Sequence, residues 1–130
     1  MIVGSGVDLC EVDRIKKAIE RHGRRFIDRI YTSREIAYCD PKANRFERYA
    51  ARFAAKEAGM KAIGTGFRKG VTWQDFEVGH LPGGRPTLYF HGKAAEFAKA
   101  LRVRNVALSI THTSVQAMAL VILEAEDSAR

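Results

Sequence analysis

The sequence predicts a single compact α+β domain in which a long central helix packs on a mainly antiparallel sheet. Three observations support this fold class. The chain has 130 residues, 46% of them hydrophobic, which is enough for one domain with its own core. Apolar residues recur at helical spacing in some segments and fill strand-like runs in others, and the two kinds of segment are mixed along the chain. No repeat, low-complexity tract or linker divides the sequence.

The first third of the chain is predicted to hold a strand followed by helices. Residues 2–7 form a short apolar strand, which Asp8 closes. Apolar residues then recur at spacings of three and four, which predicts a helix that ends at Gly23. Thr32 and Glu35 have the spacing of a capping box and mark the start of a further helix.

The longest predicted helix covers residues 44–63. It is rich in alanine, contains no proline and is followed by two glycines that end it. Turn residues then alternate with short apolar runs. The elements predicted after this helix are strands at 71–78 and 87–90, a helix at 92–101, and a final hairpin with strands at 106–111 and 116–124.

The ends of the chain and its cysteines indicate an ordinary intracellular domain. We expect the domain to span residues 1–126 and residues 127–130 to form a loose tail. No apolar run is long enough to cross a bilayer and no signal-peptide pattern is present, so we expect a cytoplasmic protein without a membrane partner. Cys10 and Cys39 are too few for a disulfide framework, and we predict that both are reduced. We expect Cys39 to be a buried packing residue and not a reactive thiol.

The net charge favours an anionic partner. The chain carries 22 basic and 15 acidic residues, a formal charge of +7. Nucleic acid, a phosphorylated ligand and an acidic protein would all satisfy this charge. A nucleic-acid-binding domain is the main alternative, although the sequence has no stacking motif of the RNA-binding type.

Two carboxylates are candidates for a metal site. At 100° per residue, Glu57 falls on the apolar stripe of the long helix, beside Phe53 and Met60. A carboxylate there is costly unless a cation neutralises it, although a simple surface pair with Lys61 would also account for it. Asp8 is either a helix cap or a second carboxylate that faces a cleft. Asp8 and Glu57 together would supply the hard oxygen ligands that Mg²⁺ prefers.

Basic side chains occupy a neighbouring arc of the same helix. They are Arg45, Arg48, Arg52 and Lys56, which form either a solvated face or a phosphate-binding surface. His112 lies where the last two strands turn, a place where histidine more often makes a hydrogen bond than performs catalysis. No zinc, P-loop, dinucleotide or serine-hydrolase motif is present. A metal-dependent hydrolase of nucleotide-like diphosphates, using the same carboxylates, remains a second alternative.

Four blocks of sequence, taken in order, carry a family resemblance. The blocks are GSGVDLCEVDRI at 4–15, RFAAKEA at 52–58 with KAIGTG at 61–66, GRP at 84–86, and LSITHT at 108–113. In this order they resemble the holo-acyl-carrier-protein synthases, the short single-repeat members of the phosphopantetheinyl transferase family. The similarity runs from about residue 2 to residue 123. One departure is Thr111, where the family commonly has serine before the histidine.

The resemblance implies a fold, a reaction and a set of site residues. The fold is that of the phosphopantetheinyl transferases. The reaction moves 4′-phosphopantetheine from coenzyme A to a serine hydroxyl of an apo acyl carrier protein and releases adenosine 3′,5′-bisphosphate. Mg²⁺, for which Mn²⁺ can substitute, is held by Asp8 and Glu57, and Lys61 joins them in catalysis. The residues implied for coenzyme A are Arg45, Arg52, Gly64, Gly84, Arg85, Pro86, His112 and Thr113, of which Arg45 and Arg52 also share a helix face.

The resemblance also implies partners. An acidic carrier protein is expected to dock on Arg14, Arg21 and Arg24, and nucleic acid is not expected to bind. A homotrimer is expected, with each active site between two chains. The apolar final strands would supply faces around a threefold axis, or they simply fill the core of each chain, and periodicity does not separate these alternatives.

Overall fold

The structure is a computed structural model that describes residues 1–127. Its strands are β1 (Ile2–Glu11), β2 (Phe76–His80), β3 (Pro86–Phe90), β4 (Val103–His112) and β5 (Gln116–Ala125). Its helices are α1 (Val12–His22), α2 (Arg24–Ile30), α3 (Ser33–Cys39), α4 (Arg45–Ala62) and α5 (Gly92–Ala100). All strand pairs in this part of the chain are antiparallel, so the predicted α+β fold class is confirmed.

Strand β5 lies at the centre of the main sheet. The sheet has the order β1-β5-β4, and β2 and β3 form a separate two-stranded sheet. Asp8 of β1 pairs with Ala119 of β5, and His112 of β4 pairs with Ala117 of β5. These two candidate site residues therefore stand on opposite edges of one sheet.

Helix α4 packs directly against the inner face of β1. Most of its alanines are buried, and Gly4 and Gly6 face it from the strand. A Cβ added to Gly6 would lie 3.0 Å from the carbonyl carbon of Ala58 and closer still to its oxygen. Glycine is required there because the two backbones touch. This close approach brings the side chains of β1 and α4 together.

A buried ion pair joins α3, α4 and β2. Lys56 and Glu35 are almost fully buried, and the Lys56 ammonium lies 2.7 Å from Glu35 Oε1. The same ammonium donates hydrogen bonds to the carbonyl oxygens of Trp73 and Phe76. Burial lowers the pKa of Lys56, and the neighbouring Glu35 carboxylate opposes that effect. Lys56 therefore belongs to the core and not to a solvated or phosphate-binding face.

Two predicted element boundaries lie furthest from those of the structure, and β4 also begins at Val103, earlier than predicted. β1 does not end at Asp8 but continues to Glu11, because it pairs with β5 along that whole length. The strand predicted from residue 71 begins only at Phe76. A short 3₁₀ turn precedes it, in which Asp75 accepts hydrogen bonds from the amide and hydroxyl of Thr72. This local cap competes with the extended conformation.

Neither cysteine forms a disulfide, as predicted, and Cys39 is the packing residue that the sequence indicated. Cys10 and Cys39 are free and buried. Burial raises the pKa of Cys10 to about 11 and that of Cys39 to about 12, so both thiols stay protonated at neutral pH.

The ends of the chain and the lengths of its helices concern the predicted domain boundary and the predicted absence of a membrane span. The terminal amino group of Met1 pairs with Asp127 at 2.8 Å, while residues 128–130 lie outside the described part of the chain. The predicted boundary at residue 126 therefore stays a prediction. Within residues 1–127, none of the helices combines the length and apolarity that spanning a bilayer requires.

Candidate active site

Asp8 is paired with a lysine from α4. The Lys61 ammonium lies 2.9 Å from Asp8 Oδ1 and donates a second hydrogen bond to the Val7 carbonyl at 3.0 Å. Asp8 is not a helix cap, since α1 begins only at Val12. The alternative of a surface pair between Glu57 and Lys61 is also wrong, because the ammonium of Lys61 pairs with Asp8 instead.

Glu57 is half-buried beside Asp8. Burial is the main cause that raises the pKa of Glu57 to about 7, and the charge of Asp8 and a hydrogen bond with it act in the same direction. Arg14 and Lys61 oppose this shift. Two carboxyl groups this close cannot both carry charge without a proton or a cation between them. The pair is therefore a place where a cation would be stabilised.

The donor set of this pair fits a magnesium ion. Mg²⁺ binds one or two protein carboxylates and completes its shell with water and phosphate oxygens. Within residues 1–127 no group of three or more His, Cys, Asp and Glu side chains could hold a metal by itself. Asp8 and Glu57 would thus need further oxygen atoms, from water or from a phosphorylated substrate.

An aromatic stack lies one helical turn from Glu57. The ring of Phe53 stacks on Trp73 with centroids 4.8 Å apart, and Trp73 stacks on the exposed ring of Phe67 at 5.0 Å. The guanidinium of Arg14 lies 5.3 Å from the centre of the Phe53 ring. This stack is not predictable from the sequence, because Trp73 and Phe67 reach it from segments that have no periodic pattern.

A cavity of about 140 Å³ opens on the other side of α4. Arg52 is only 5% exposed, and its guanidinium carbon lies 4.3 Å from the centre of the Tyr38 ring. Arg52 Nε is buried and has no hydrogen-bond partner within the described residues. A buried donor without a partner is costly, so an acceptor from a ligand would satisfy it. The cavity is lined by Tyr38, Arg48, Ala51, Arg52, His80, Pro86, Ile110 and His112.

The glycine-rich turn before β3 borders a larger open groove. Gly84 has a φ of +94°, a conformation that only glycine adopts easily, and its amide donates to the Leu81 carbonyl. Arg85 is exposed next to it. The groove, of about 530 Å³, is lined by Leu81, Arg85, Pro86 and residues 105–110 of β4. Pro86 lines both this groove and the smaller cavity, so the two are adjacent.

Three of the predicted coenzyme A residues lie elsewhere. Arg45 is exposed, with its guanidinium carbon 4.7 Å from the centre of the Phe46 ring. Gly64 ends α4 near Lys61, to whose carbonyl its amide donates. The Thr113 hydroxyl accepts hydrogen bonds from the amides of residues 115 and 116 and so holds the hairpin turn. The structure therefore brings Arg52, Pro86 and His112 together and leaves these three outside that cavity.

The two clusters face different directions within one chain. Arg52 and Glu57 are five residues apart on α4, which turns their side chains about 140° from each other. Asp8 and His112 are separated by the width of β5, so their strands stand about 10 Å apart. Helix α4 lies between the carboxylate pair and the Arg52 cavity.

The outer face of the main sheet carries an exposed apolar patch on β1 and β5. Its side chains point away from α4 and include Val7, Leu9, Met118 and Leu120, each at least 40% exposed. Val7 pairs with Leu120 and Leu9 with Met118, so the four form one continuous patch. Exposed apolar patches of this kind mark interaction surfaces.

The residues predicted for carrier docking lie on or near α1. Arg14 and Arg21 are exposed on this helix. Arg24 follows it and pairs with Asp40 at 2.9 Å. Of these three arginines, Arg14 lies nearest to the Asp8–Glu57 pair, since its guanidinium contacts the ring of Phe53.

Comparison with known proteins decides the family. A profile of the 4′-phosphopantetheinyl transferase superfamily matches residues 4–115. The chain belongs to this superfamily. A relative from Solibacter usitatus, named holo-acyl-carrier-protein synthase, is 69% identical over 124 residues, which are 95% of this chain and 99% of the relative.

Solved transferase structures share the fold. The holo-acyl-carrier-protein synthase of Neisseria meningitidis has a TM-score of 0.85 and 32% identity, over 95% of this chain and 99% of that one. The synthase of Bacillus anthracis, in complex with CoA (3′,5′-ADP), has a TM-score of 0.78 and 37% identity, over 97% and 99% of the two chains. The chain is thus an enzyme of the phosphopantetheinyl transferase family, as the sequence blocks predicted.

Proposed function

We propose that this transferase is a holo-acyl-carrier-protein synthase, which moves 4′-phosphopantetheine from coenzyme A to a serine hydroxyl of an apo acyl carrier protein. The observation that carries the proposal is the pair of adjacent carboxyl groups of Asp8 and Glu57, next to the Lys61 ammonium. The cationic cavity around Arg52 also supports the proposal, because it could hold a phosphate of the nucleotide part of coenzyme A.

The reaction is a displacement at phosphorus. The serine oxygen forms a bond to the pantetheine-side phosphorus of coenzyme A, and the bond from that phosphorus to the bridging oxygen breaks. Adenosine 3′,5′-bisphosphate leaves with the electron pair. Such displacements depend mainly on positioning and on electrostatic stabilisation.

Chain residues supply the proton acceptor and part of the charge stabilisation. Glu57, which lies beside Asp8, would accept the serine proton. Lys61 would stabilise negative charge on the phosphate or leaving oxygens, since its ammonium already stands beside Asp8. Mg²⁺, or Mn²⁺ in its place, would be held by Asp8 and Glu57 and would supply charge neutralisation for the pyrophosphate.

The 3′-phosphate, the adenine and the pantetheine arm of coenzyme A would each contact a different surface of the protein. Arg52 and His112 would hold the 3′-phosphate, and Gly84, Arg85 and Pro86 would border the adenine. The apolar stack of Phe53, Trp73 and Phe67 would carry the uncharged pantetheine arm, because it begins one helical turn from Glu57. Arg45, Gly64 and Thr113, which lie outside the Arg52 cavity, would contact the ligand only at its edges.

We propose that the active form is a homotrimer with shared sites. In one chain the carboxylate pair and the Arg52 cavity face different directions, yet a pyrophosphate and a 3′-phosphate belong to one ligand. A second copy would bring the two clusters together. The apolar patch of Val7, Leu9, Met118 and Leu120 offers the surface that such an assembly would bury.

The carrier protein would dock on the first helix. Arg14, Arg21 and Arg24 would face an acidic partner, and Arg14 links this surface to the carboxylate side through Phe53. Rim charges of this kind raise the association rate more than they lower the dissociation rate.

The function is tested by weighing an apo carrier protein after incubation with the enzyme, coenzyme A and Mg²⁺. The expected result is the gain of one phosphopantetheine group, abolished by a chelator of divalent metals. Unimpaired transfer in excess chelator would contradict the metal assignment. Cleavage of coenzyme A at the same rate without a carrier, and without gain of mass, would instead indicate a hydrolase.

A further inference from the structure

A carboxylate–imidazole pair stands at the edge of the Arg52 cavity. His112 Nδ1 lies 3.1 Å from Glu47 Oε1, and both side chains are about three-quarters buried, with 26% and 25% of their surfaces exposed. An ionised carboxylate can only accept a hydrogen bond, so Nδ1 must carry the proton and donate it. The other ring nitrogen, Nε2, is thereby left free on the opposite edge of the imidazole.

The neighbouring arginine is held in a comparable way. Arg48 Nε donates to Asn44 Oδ1, and Arg48 Nη1 donates to the Tyr38 hydroxyl, both at 3.2 Å. The Tyr38 ring in turn carries the Arg52 guanidinium on its face. The cavity therefore has four nitrogen-bearing side chains, Arg48, Arg52, His80 and His112. Each is fixed by a contact that does not use a ligand, since the His80 ring packs on the Tyr38 ring with centroids 4.8 Å apart.

We propose that Glu47 is a positioning residue, which holds His112 so that the imidazole joins Arg48 and Arg52 in binding the 3′-phosphate of coenzyme A. This inference rests on the proposed function. A protonated imidazole would donate to Glu47 from Nδ1 and to a phosphate oxygen from Nε2. The Glu47 carboxylate stabilises that positive charge and prevents the ring from turning its other nitrogen toward the cavity.

A purely structural role for Glu47 makes a different prediction. If the pair only tied α4 to the end of β4, its loss would lower the free energy of unfolding and leave ligand preference unchanged. A positioning role changes the preference for a 3′-phosphate, because a misplaced donor loses a charge-assisted hydrogen bond. The two roles are separable by comparing ligands with and without that phosphate.

The experiment uses calorimetric binding of adenosine 3′,5′-bisphosphate and of adenosine 5′-monophosphate to the whole protein. Glu47→Ala removes both the acceptor and the charge, Glu47→Gln keeps an acceptor of the same shape, and Glu96→Gln is a control on an exposed carboxylate of α5. Nitrogen NMR of the histidine rings reports which nitrogen of His112 is protonated.

We expect Glu47→Ala to lose about tenfold in affinity for the bisphosphate and less than about twofold for the monophosphate. Glu47→Gln should lie between Glu47→Ala and the parent, the control should match the parent, and the Nδ1–H signal of His112 should be lost only in Glu47→Ala. An unchanged preference in a folded Glu47→Ala variant, or a His112 ring protonated only on Nε2 in the parent, would overturn the assignment. A parent that binds neither nucleotide would overturn the proposed function as well.

Discussion

Replacing Gly6 by alanine should separate the two carboxylates without touching either of them. The added Cβ would lie 3.0 Å from both Ala58 C and Ala62 N, and closer to the Ala58 carbonyl oxygen. The contact with the Ala58 oxygen is the shortest of the three, and ordinary contacts of a carbon atom begin near about 3.5 Å, so β1 must move away from α4 by more than about 1 Å. The hydrogen bond between Asp8 and Lys61, now 2.9 Å long, would then be stretched beyond hydrogen-bonding distance.

The expected cost has two parts. Overpacking of this kind lowers the free energy of unfolding by about 1–3 kcal/mol, which denaturant titration measures. A misplacement of about 1 Å in an active site lowers kcat by roughly 100-fold, which the transfer assay measures. Gly79→Ala is the matched control, because its added Cβ would meet only the half-exposed ring of Tyr89, which can move. A folded Gly6→Ala variant with the kcat of the parent would refute this account of the strand–helix contact.

Three further predictions concern single side chains. Asp8→Asn keeps an acceptor for Lys61, so it should leave thermal stability nearly unchanged and weaken metal affinity by at least about 100-fold. It should also lower the pKa of Glu57, because a neighbouring negative charge is removed. Unchanged metal affinity in the folded variant, or a destabilised variant whose folded fraction works normally, would show that Asp8 is not a ligand. Arg14→Glu should raise the KM for the carrier protein and make it less dependent on salt, while the KM for coenzyme A stays the same, and an equal rise in both constants would count against docking at this residue. Cys10 and Cys39 should resist iodoacetamide at pH 8 in the native protein and react fully in urea, since burial raises both thiol pKa values, whereas rapid native labelling would contradict their burial.

Local sequence patterns correctly predicted the regular elements and the contacts between residues that are close in sequence. The α4 helix, the Thr32–Glu35 capping box and the final hairpin appear as expected, since each depends on contacts within a few residues. The predicted start of β2 was wrong, because the cap formed by Thr72 and Asp75 holds a 3₁₀ turn where the apolar run favours an extended strand.

Long-range pairing could not be predicted from helical spacing. Lys61 has two acidic neighbours, and only the close approach of β1 to α4 decides that it pairs with Asp8 and not with Glu57. Lys56 has the spacing of a solvated basic face, but its side chain is buried in the core, where it pairs with Glu35. The sequence blocks point to Asp8 and Glu57 as candidate ligands, which stays a prediction, while their contact depends on the tertiary fold.

The proposed division of the active site between two copies is tested most directly by complementation. Glu57→Gln disables the carboxylate side and Arg85→Ala disables the nucleotide side, so each variant alone should be inactive. Refolded together, they should regain activity, because some interfaces in mixed trimers would combine an intact Glu57 from one copy with an intact Arg85 from another. The regained activity should appear only in the species that sediments as a trimer. A parent protein that sediments as a fully active monomer at assay concentration, or mixed trimers with no activity above that of the separate variants, would contradict the shared site.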